Sequence, residues 1–203
     1  MIPTAQQTEH RTERRLGGTA LLLAGTAALV HALPPISAML AYDRARVAAG
    51  EMWRIVTCHV THYTLDHLVW DGIVFASVGT LCLRDSPRRT WATLATATAA
   101  IPATLWLLHP QLSTYRGLSG LDTALFALLC TRALVDNWIS GDRRRLIASA
   151  AAMIVLLGKT SYEIVSGTTL FADGAGEFVA VPTAHIVGAI VGMIVGLVPA
   201  KSK

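Results

Sequence analysis

The sequence predicts an all-α membrane protein with six transmembrane helices. Of its 203 residues, 53% are hydrophobic and only 15% are charged, and the mean hydropathy is +0.49. Soluble domains carry about 25% charged residues, so the composition disfavours a water-soluble enzyme and excludes a disordered chain. Six spans of about 20 residues leave only short loops. We expect one membrane domain over residues 16–199, between cytoplasmic tails at residues 1–15 and 200–203.

Six apolar segments divide the chain. The first begins at Leu16, after the basic sequence HRTERR, and reaches Leu33, where Pro34 and Pro35 are expected to kink or end it. A signal peptide cleaved after Val30-His31-Ala32 is the alternative for this segment, but its length and the five segments that follow favour a span. The other segments are residues 62–83, 90–108, 118–135, 146–165 and 183–199. Polar connections are expected at residues 43–61, 84–89, 109–116, 136–145 and 166–182.

The positions of lysine and arginine predict the orientation of these segments. With a cytoplasmic N-terminus, twelve of the 17 cationic residues fall on the cytoplasmic side, as the positive-inside rule requires. Both termini are therefore expected to be cytoplasmic. The net charge of +4 is explained by this asymmetry, so no nucleic-acid partner is inferred.

Polar residues inside apolar spans are costly and mark functional sites by default. Four groups of such residues occur: His59, His62, His67 and Asp71; Gly117 to Gly120 with Asp122; Lys159 with Glu163; and His185 with Gly188, Gly192 and Gly196. In the assigned orientation, segments two, four and six begin on the outer side, and segment five ends there. We expect all four groups near one face at similar shallow depth, as a water-accessible site requires.

A serine and a histidine in these groups form a candidate nucleophilic pair. The glycines of segment six repeat every four residues, a spacing that lets two helices approach closely. His185 lies within about 20° of Gly192 around the helix, so it projects from the same packing face. If segment four packs there, Ser119 meets His185, which is the minimum pair for acyl transfer. The glycines beside Ser119 expose its hydroxyl, and a helix N-terminus suits a developing oxyanion.

Together these motifs resemble the rhomboid intramembrane serine proteases, over about residues 16–199. The matching motifs are Trp53-Arg54, His62-x4-His67-x3-Asp71, Gly117-Leu118-Ser119-Gly120 and Ala184-His185-x2-Gly188-x3-Gly192. The compact size and the Trp70-Asp71 ending of the second motif are most similar to the bacterial rhombosortase branch.

The resemblance implies a six-helix rhomboid fold with a Ser-His dyad. Ser119 would attack the scissile carbonyl, and His185 would be the general base. His67 and the residue at position 71 would support the oxyanion. The backbone N–H of Ser119, in the motif that runs from Gly117 to Gly120, would do so as well. No acidic third member, metal or cofactor is required.

The resemblance also implies a partner and a location. The substrate would be a membrane-anchored protein with a transmembrane segment in the lipid bilayer. The rhombosortase branch is associated with C-terminal sorting tails made of a Gly-rich motif, a membrane helix and a basic end. The chain is expected in the bacterial cytoplasmic (inner) membrane, with its active site open toward the periplasm.

Asp71 departs from the common rhomboid pattern, which has asparagine there. A carboxylate facing an oxyanion would repel it, and burial disfavours the charged form. We hypothesise that Asp71 is either a protonated donor or a hydrogen-bond anchor for His67. His62 is interpreted as a structural residue that bonds loop carbonyls.

The remaining candidates are expected to be scaffold or gate residues. Asp122, one turn after Ser119, complements the helix dipole. Lys159 and Glu163 are four residues apart and are expected to form a structural ion pair, although segment five is the proposed lateral gate in rhomboids. Trp53 and Arg54 belong to the first outer connection.

Two other functions fit parts of the sequence. One is a catalytically inactive rhomboid-like protein that binds membrane clients, but such proteins lose the serine or the histidine, and both are present here. The other is a metal-dependent membrane hydrolase or transporter, with ligands from His59, His62, Asp66, His67 and Asp71. That cluster lies largely in one segment and would leave the Gly-Leu-Ser-Gly motif unexplained.

Overall fold

The computed structural model describes residues 5–168 and 181–199, with side chains from residue 18 onward. It is all-helical apart from two short strands. Its helices are α1 (Ala5–His31), α2 (Pro34–Leu40), α3 (Arg44–Ala48), α4 (Arg54–Thr57), α5 (Leu65–Asp85), α6 (Pro87–Leu108), α7 (Ser119–Ser140), α8 (Arg143–Ser166) and α9 (Pro182–Leu197), with a 3-10 turn at Cys58–Val60. Residues 1–4 and 200–203 of the predicted tails lie outside the described residues. So do residues 169–180 of the predicted Gly-rich loop, with Asp173 and Glu177.

The helices supply several candidate membrane spans. Within the described residues, α5, α6 and α8 are each long and apolar enough to cross a bilayer. The apolar part of α1 and the short α2 meet at 113° and would together count as a fourth span. Helix α9 has 16 residues, fewer than the roughly 20 that a perpendicular span needs. An all-helical fold with three to four candidate membrane spans is confirmed, whereas six spans and the orientation of the termini stay predictions.

The outer faces of the long helices are apolar. On α8, Ile147 and Ile154 are 68% and 67% exposed, and on α9 Ile194 is 60% exposed. Leu22 and Leu29 continue this surface on α1. An apolar surface of this extent suits the hydrocarbon interior of a bilayer and not water.

Two polar connections are shorter than the sequence predicts. The loop expected over residues 136–145 is wrong, because α7 continues to Ser140 and α8 already begins at Arg143. Gly141 ends α7 with φ of +73°, and the side chain of Asp142 caps α8 by accepting from the N–H of Arg145. The basic turn expected over residues 84–89 reduces to Ser86, whose hydroxyl caps α6. Arginines and capping residues thus occupy helix ends, where their side chains reach solvent.

Helix α7 lies at the centre of the fold and packs most closely against α9. A Cβ at Gly188 would collide with the carbonyl oxygen of Gly120, and one at Gly192 with the carbonyl oxygen of Ala124. A Cβ at Gly196 would lie 2.8 Å from Cβ of Thr131. The glycine face of α9 therefore brings the two backbones together, as small residues do in membrane helix pairs.

The connection between α2 and α5 is tied to the segment that precedes α7. Strand β1 (Tyr42–Asp43) pairs antiparallel with β2 (Thr114–Tyr115), a pairing that the sequence did not predict. Arg54, 2% exposed, donates from Nη1 to the carbonyl oxygens of Ala38 and Ala41 at 2.9 and 2.7 Å. The pairing with β1 holds β2 in place, and β2 leads directly into Gly117 and Ser119.

Candidate active site

A cavity of about 520 Å³ opens among α5, α7, α8 and α9. It brings together members of all four polar groups that the sequence singles out. The polar side chains that line it include Tyr63, His67, Asp71, Tyr115, Arg116, Ser119, Asp122, Lys159, Glu163 and His185. Trp53 and Arg54 do not line it; they lie in the connection between α2 and α5.

Ser119 is the first residue of α7 and is half-buried in this cavity. The backbone N–H groups of a first helical turn have no intrahelical partner, which makes them available to a negative charge. The preceding Gly117 has φ of +124°, a conformation that favours glycine. A Cβ there would also lie 2.8 Å from Cε1 and Nε2 of His67. Gly117 therefore lets the serine turn and the His67 ring approach each other.

His185 lies in the first turns of α9, on the cavity wall, and is 6% exposed. Its Nδ1 is 2.6 Å from Oε2 of Glu163, a distance typical of a charge-assisted hydrogen bond. Because a carboxylate accepts, Nδ1 carries the proton in this arrangement. Nε2 is then the basic nitrogen of the neutral ring.

Glu163 bridges two donors on different helices. Its Oε1 accepts from Nζ of Lys159 at 2.7 Å, one turn earlier on α8, so the expected pair is present. Its Oε2 contacts His185 on α9, and this contact was not anticipated. The sequence marked Glu163 as a costly polar residue in a span. The sequence did not indicate His185 as a partner of Glu163, because the positions of α8 and α9 relative to each other cannot be deduced across the long connection between them.

Asp71 lies between two histidines. Its Oδ2 is 3.2 Å from Nε2 of His62 and 3.1 Å from Nε2 of His67. The contact with His62 has hydrogen-bond geometry, whereas His67 approaches the same oxygen at an ion-pair distance. Both hypotheses for Asp71, the protonated donor and the hydrogen-bond anchor for His67, stay predictions. The expected bond from His62 to loop carbonyls is wrong within the described residues, since its Nε2 donates to Asp71 and its Nδ1 has no hydrogen-bond partner there.

Asp122 lines the cavity in the first turn of α7 and is 6% exposed. Its Oδ1 has no hydrogen-bond partner among the described residues. The position at the helix N-terminus is the one at which a carboxylate complements the dipole.

Several cavity residues were missed by the sequence reasoning, and three of them lie outside the long helices. Tyr63 stacks on the His67 ring at 6.2 Å between centroids, and the Arg116 guanidinium lies 5.3 Å from the Tyr63 ring. Tyr115 reaches the cavity because β2 pairs with β1. All three lie in loops or the short strand, where no helical periodicity marks a buried face.

Three side chains of the second apolar segment could together hold a metal ion. Donor atoms of His62, His67 and Asp71 all lie within 4.8 Å of one another, and all three residues are buried. His59 is not part of this group, because its Nε2 lies 3.3 Å from the carbonyl oxygen of Thr98. Burial lowers the pKa of His59 to about 4, so this ring is neutral at physiological pH.

Comparison with known proteins identifies the family. The rhomboid domain model matches residues 49–202, which include the motifs around Ser119 and His185. No curated protein matches the sequence significantly. The match to the rhomboid domain model covers most of the chain, including every helix that lines the cavity. The chain therefore belongs to the rhomboid family.

Proposed function

We propose that this protein is an intramembrane serine endopeptidase that uses Ser119 as nucleophile and His185 as general base. The rhomboid family typically comprises intramembrane serine proteases. The observation that carries the proposal is the shared cavity: Ser119 begins α7, His185 lies on α9, and both side chains line it. The close α7–α9 packing keeps these two residues at the same depth.

In this reaction Oγ of Ser119 attacks the scissile carbonyl carbon, and the hydroxyl proton passes to Nε2 of His185. The carbonyl oxygen becomes an oxyanion near the first-turn N–H groups of α7. The C–N bond then breaks, and His185 returns the proton to the leaving nitrogen. Water next attacks the acyl-enzyme and gives a proton to His185, and the C–Oγ bond breaks. Ser119 takes back this proton, and a carboxylic acid product leaves.

The substrate we propose is a membrane-anchored protein cleaved near the outer face of the bilayer. Support comes from the family and from the cavity, which lies among helices whose outer faces are apolar. A C-terminal Gly-rich tail is proposed on the sequence resemblance to rhombosortases. The Lys and Arg distribution supports a cavity that opens away from the cytoplasm.

Cleavage of a membrane-anchored reporter with a Gly-rich C-terminal tail tests this function. Ser119→Ala and His185→Ala should each lower cleavage by about 10³-fold or more, because each removes one member of the nucleophilic pair. The measurement is product formation with purified protein in liposomes. Ser140→Ala, a change of the same type at the opposite end of α7 from Ser119, should leave it unchanged. Undiminished cleavage by Ser119→Ala or His185→Ala contradicts the proposal.

A metal-dependent hydrolase is the second candidate, and the donor cluster of His62, His67 and Asp71 is the observation that favours it. Activity in the presence of a chelator and activity of the Ser119→Ala variant distinguish the two candidate functions. A metal hydrolase would lose activity with a chelator and tolerate Ser119→Ala. The serine protease would keep its activity in chelator and lose it with the substitution.

A further inference from the structure

We propose that Glu163 is a positioning residue that completes a Ser119–His185–Glu163 triad. Its carboxylate would hold the Nδ1–H of His185, so that Nε2 is the nitrogen that accepts the serine proton. This inference rests on the proposed serine protease function and adds to it a third member from α8. No proton moves to Glu163 at any step.

The contact geometry carries the inference. The 2.6 Å distance between Nδ1 of His185 and Oε2 of Glu163 is in the range of hydrogen bonds to ionised groups. The side chains of His185 and Glu163 are 8% and 2% exposed, so the bond is largely shielded from bulk solvent. A carboxylate on Nδ1 fixes the ring tautomer and its orientation, and it stabilises the imidazolium that forms when Ser119 gives up its proton.

Lys159 explains how the carboxylate stays ionised in this place. A buried carboxylate is costly unless it is paired and hydrogen-bonded. Lys159 satisfies Oε1 at 2.7 Å, which leaves Oε2 for the histidine. Each carboxylate oxygen thus has its own donor, and the two donors come from different helices.

An ion pair that serves only to stabilise a helix looks different in this same protein. Arg132 and Asp136 have the same four-residue spacing on α7, with 2.6 Å between Nη2 and Oδ1. The Asp136 side chain is 51% exposed. Such exposed pairs contribute little to stability. Glu163 differs because it is buried and because its second oxygen contacts the proposed catalytic base.

The test compares kcat and KM for reporter cleavage by wild type and Glu163→Gln. The amide has one donor and one acceptor, and it faces two donors, Lys159 and His185, so it cannot satisfy both. We expect kcat to fall by about 10²-fold or more, with KM within about two-fold of wild type. Asp136→Asn, the matched change in the exposed pair, should leave both constants unchanged.

A double variant separates positioning from a structural role. In Lys159→Met/Glu163→Gln the amide nitrogen no longer faces a cation, so the side chain can rotate and accept from Nδ1–H of His185. We expect kcat to recover at least about ten-fold over Glu163→Gln, with the unfolding midpoint of each variant measured in parallel. A purely structural pair would let the double substitution restore the midpoint but not kcat.

The outcomes distinguish this inference from the function on which it rests. If Ser119→Ala is inactive while Glu163→Gln keeps kcat within about three-fold of wild type, the triad is overturned and the protease function stands. Absence of recovery in the folded double variant overturns it equally. If Ser119→Ala itself stays active, the proposed function fails.

Discussion

At the scale of single residues, Asp71 shows how a carboxylate can occupy a position where rhomboids commonly have asparagine. It contacts His62 and His67 through the same oxygen, Oδ2. The contact with His62 is a hydrogen bond, and the contact with His67 is an ion-pair distance. A side chain with a carbonyl oxygen at that point can make the same bond without the negative charge.

We predict that Asp71→Asn keeps or raises cleavage activity. The amide oxygen can accept from His62, and removal of a carboxylate charge lowers repulsion of an oxyanion formed at Ser119. Initial rates of reporter cleavage are the measurement. Asp71→Ala, which removes the acceptor, should lower the rate. Complete loss of activity in Asp71→Asn contradicts the anchor interpretation.

The same scale shows which site residues the sequence could predict. Ser119 was singled out as a glycine-flanked serine and His185 as a histidine on a glycine face, and both line the cavity. Their catalytic roles stay predictions. The contact of Glu163 with His185 was not predictable, because it depends on the rotation of α8 relative to α9. The short-range pair with Lys159 follows from helical spacing alone. Glu163 was therefore interpreted as half of a structural ion pair, and no further partner was sought for it.

At the scale of helices, the α7–α9 contact holds the two halves of the site together. Gly120, next to the proposed nucleophile, is itself crowded: a Cβ there would lie 2.8 Å from Cδ1 of Ile101 and 3.3 Å from the carbonyl oxygen of Ala184. One turn after Ala184 on α9, a Cβ at Gly188 would collide with the carbonyl oxygen of Gly120. A shift of α9 along α7 would therefore move His185 relative to Ser119.

We predict that Gly192→Ala destabilises the protein and lowers its activity. The new Cβ would meet the carbonyl oxygen of Ala124 and lie 2.9 Å from the N of Leu128, and backbone atoms cannot rotate away. Overpacking of this kind costs about 1–3 kcal/mol. The midpoint of chemical unfolding in detergent micelles measures the loss. Gly25→Ala on α1, where nothing lies within 4 Å of the new Cβ, should not lower the midpoint. An equal midpoint for Gly192→Ala and wild type would contradict this packing.

Helix ends were the part of the fold that the sequence predicted least well. Residues 136–145 look like a loop by polarity, yet only Gly141 and Asp142 separate α7 from α8. Charged side chains are compatible with a last helical turn because they extend into solvent. The β1–β2 pair was missed for a different reason: two-residue strands carry no alternation that a sequence pattern can detect.

At the scale of the whole molecule, the orientation in the membrane is a prediction from charge. Twelve of the 17 lysine and arginine residues fall on one side if the N-terminus is cytoplasmic. The cavity then opens toward the opposite side. The short loops between α6 and α7 and between α7 and α8 should therefore lie on opposite faces of the bilayer.

Alkaline phosphatase fusions test this orientation, because the enzyme needs disulfides that form outside the cytoplasm. A fusion after Gln111 should be active, and one after Gly141 should be inactive. Green fluorescent protein fusions at the same residues should give the reverse pattern of fluorescence. The opposite pattern in both reporters would invert the assigned topology.

The contact of the Glu163 carboxylate on α8 with His185 on α9 has a consequence for the order of substrate entry and bond cleavage. Only Leu156, Thr160 and Glu163 of α8 are buried in the described structure, so this helix is attached to the rest of the fold over a narrow strip. Outward displacement of α8, as a lateral gate requires, would pull Glu163 away from His185 and leave the imidazole free to rotate. The base would be aligned only after the helix returned, so the same contact that orients the histidine would act as an interlock between substrate entry and bond cleavage.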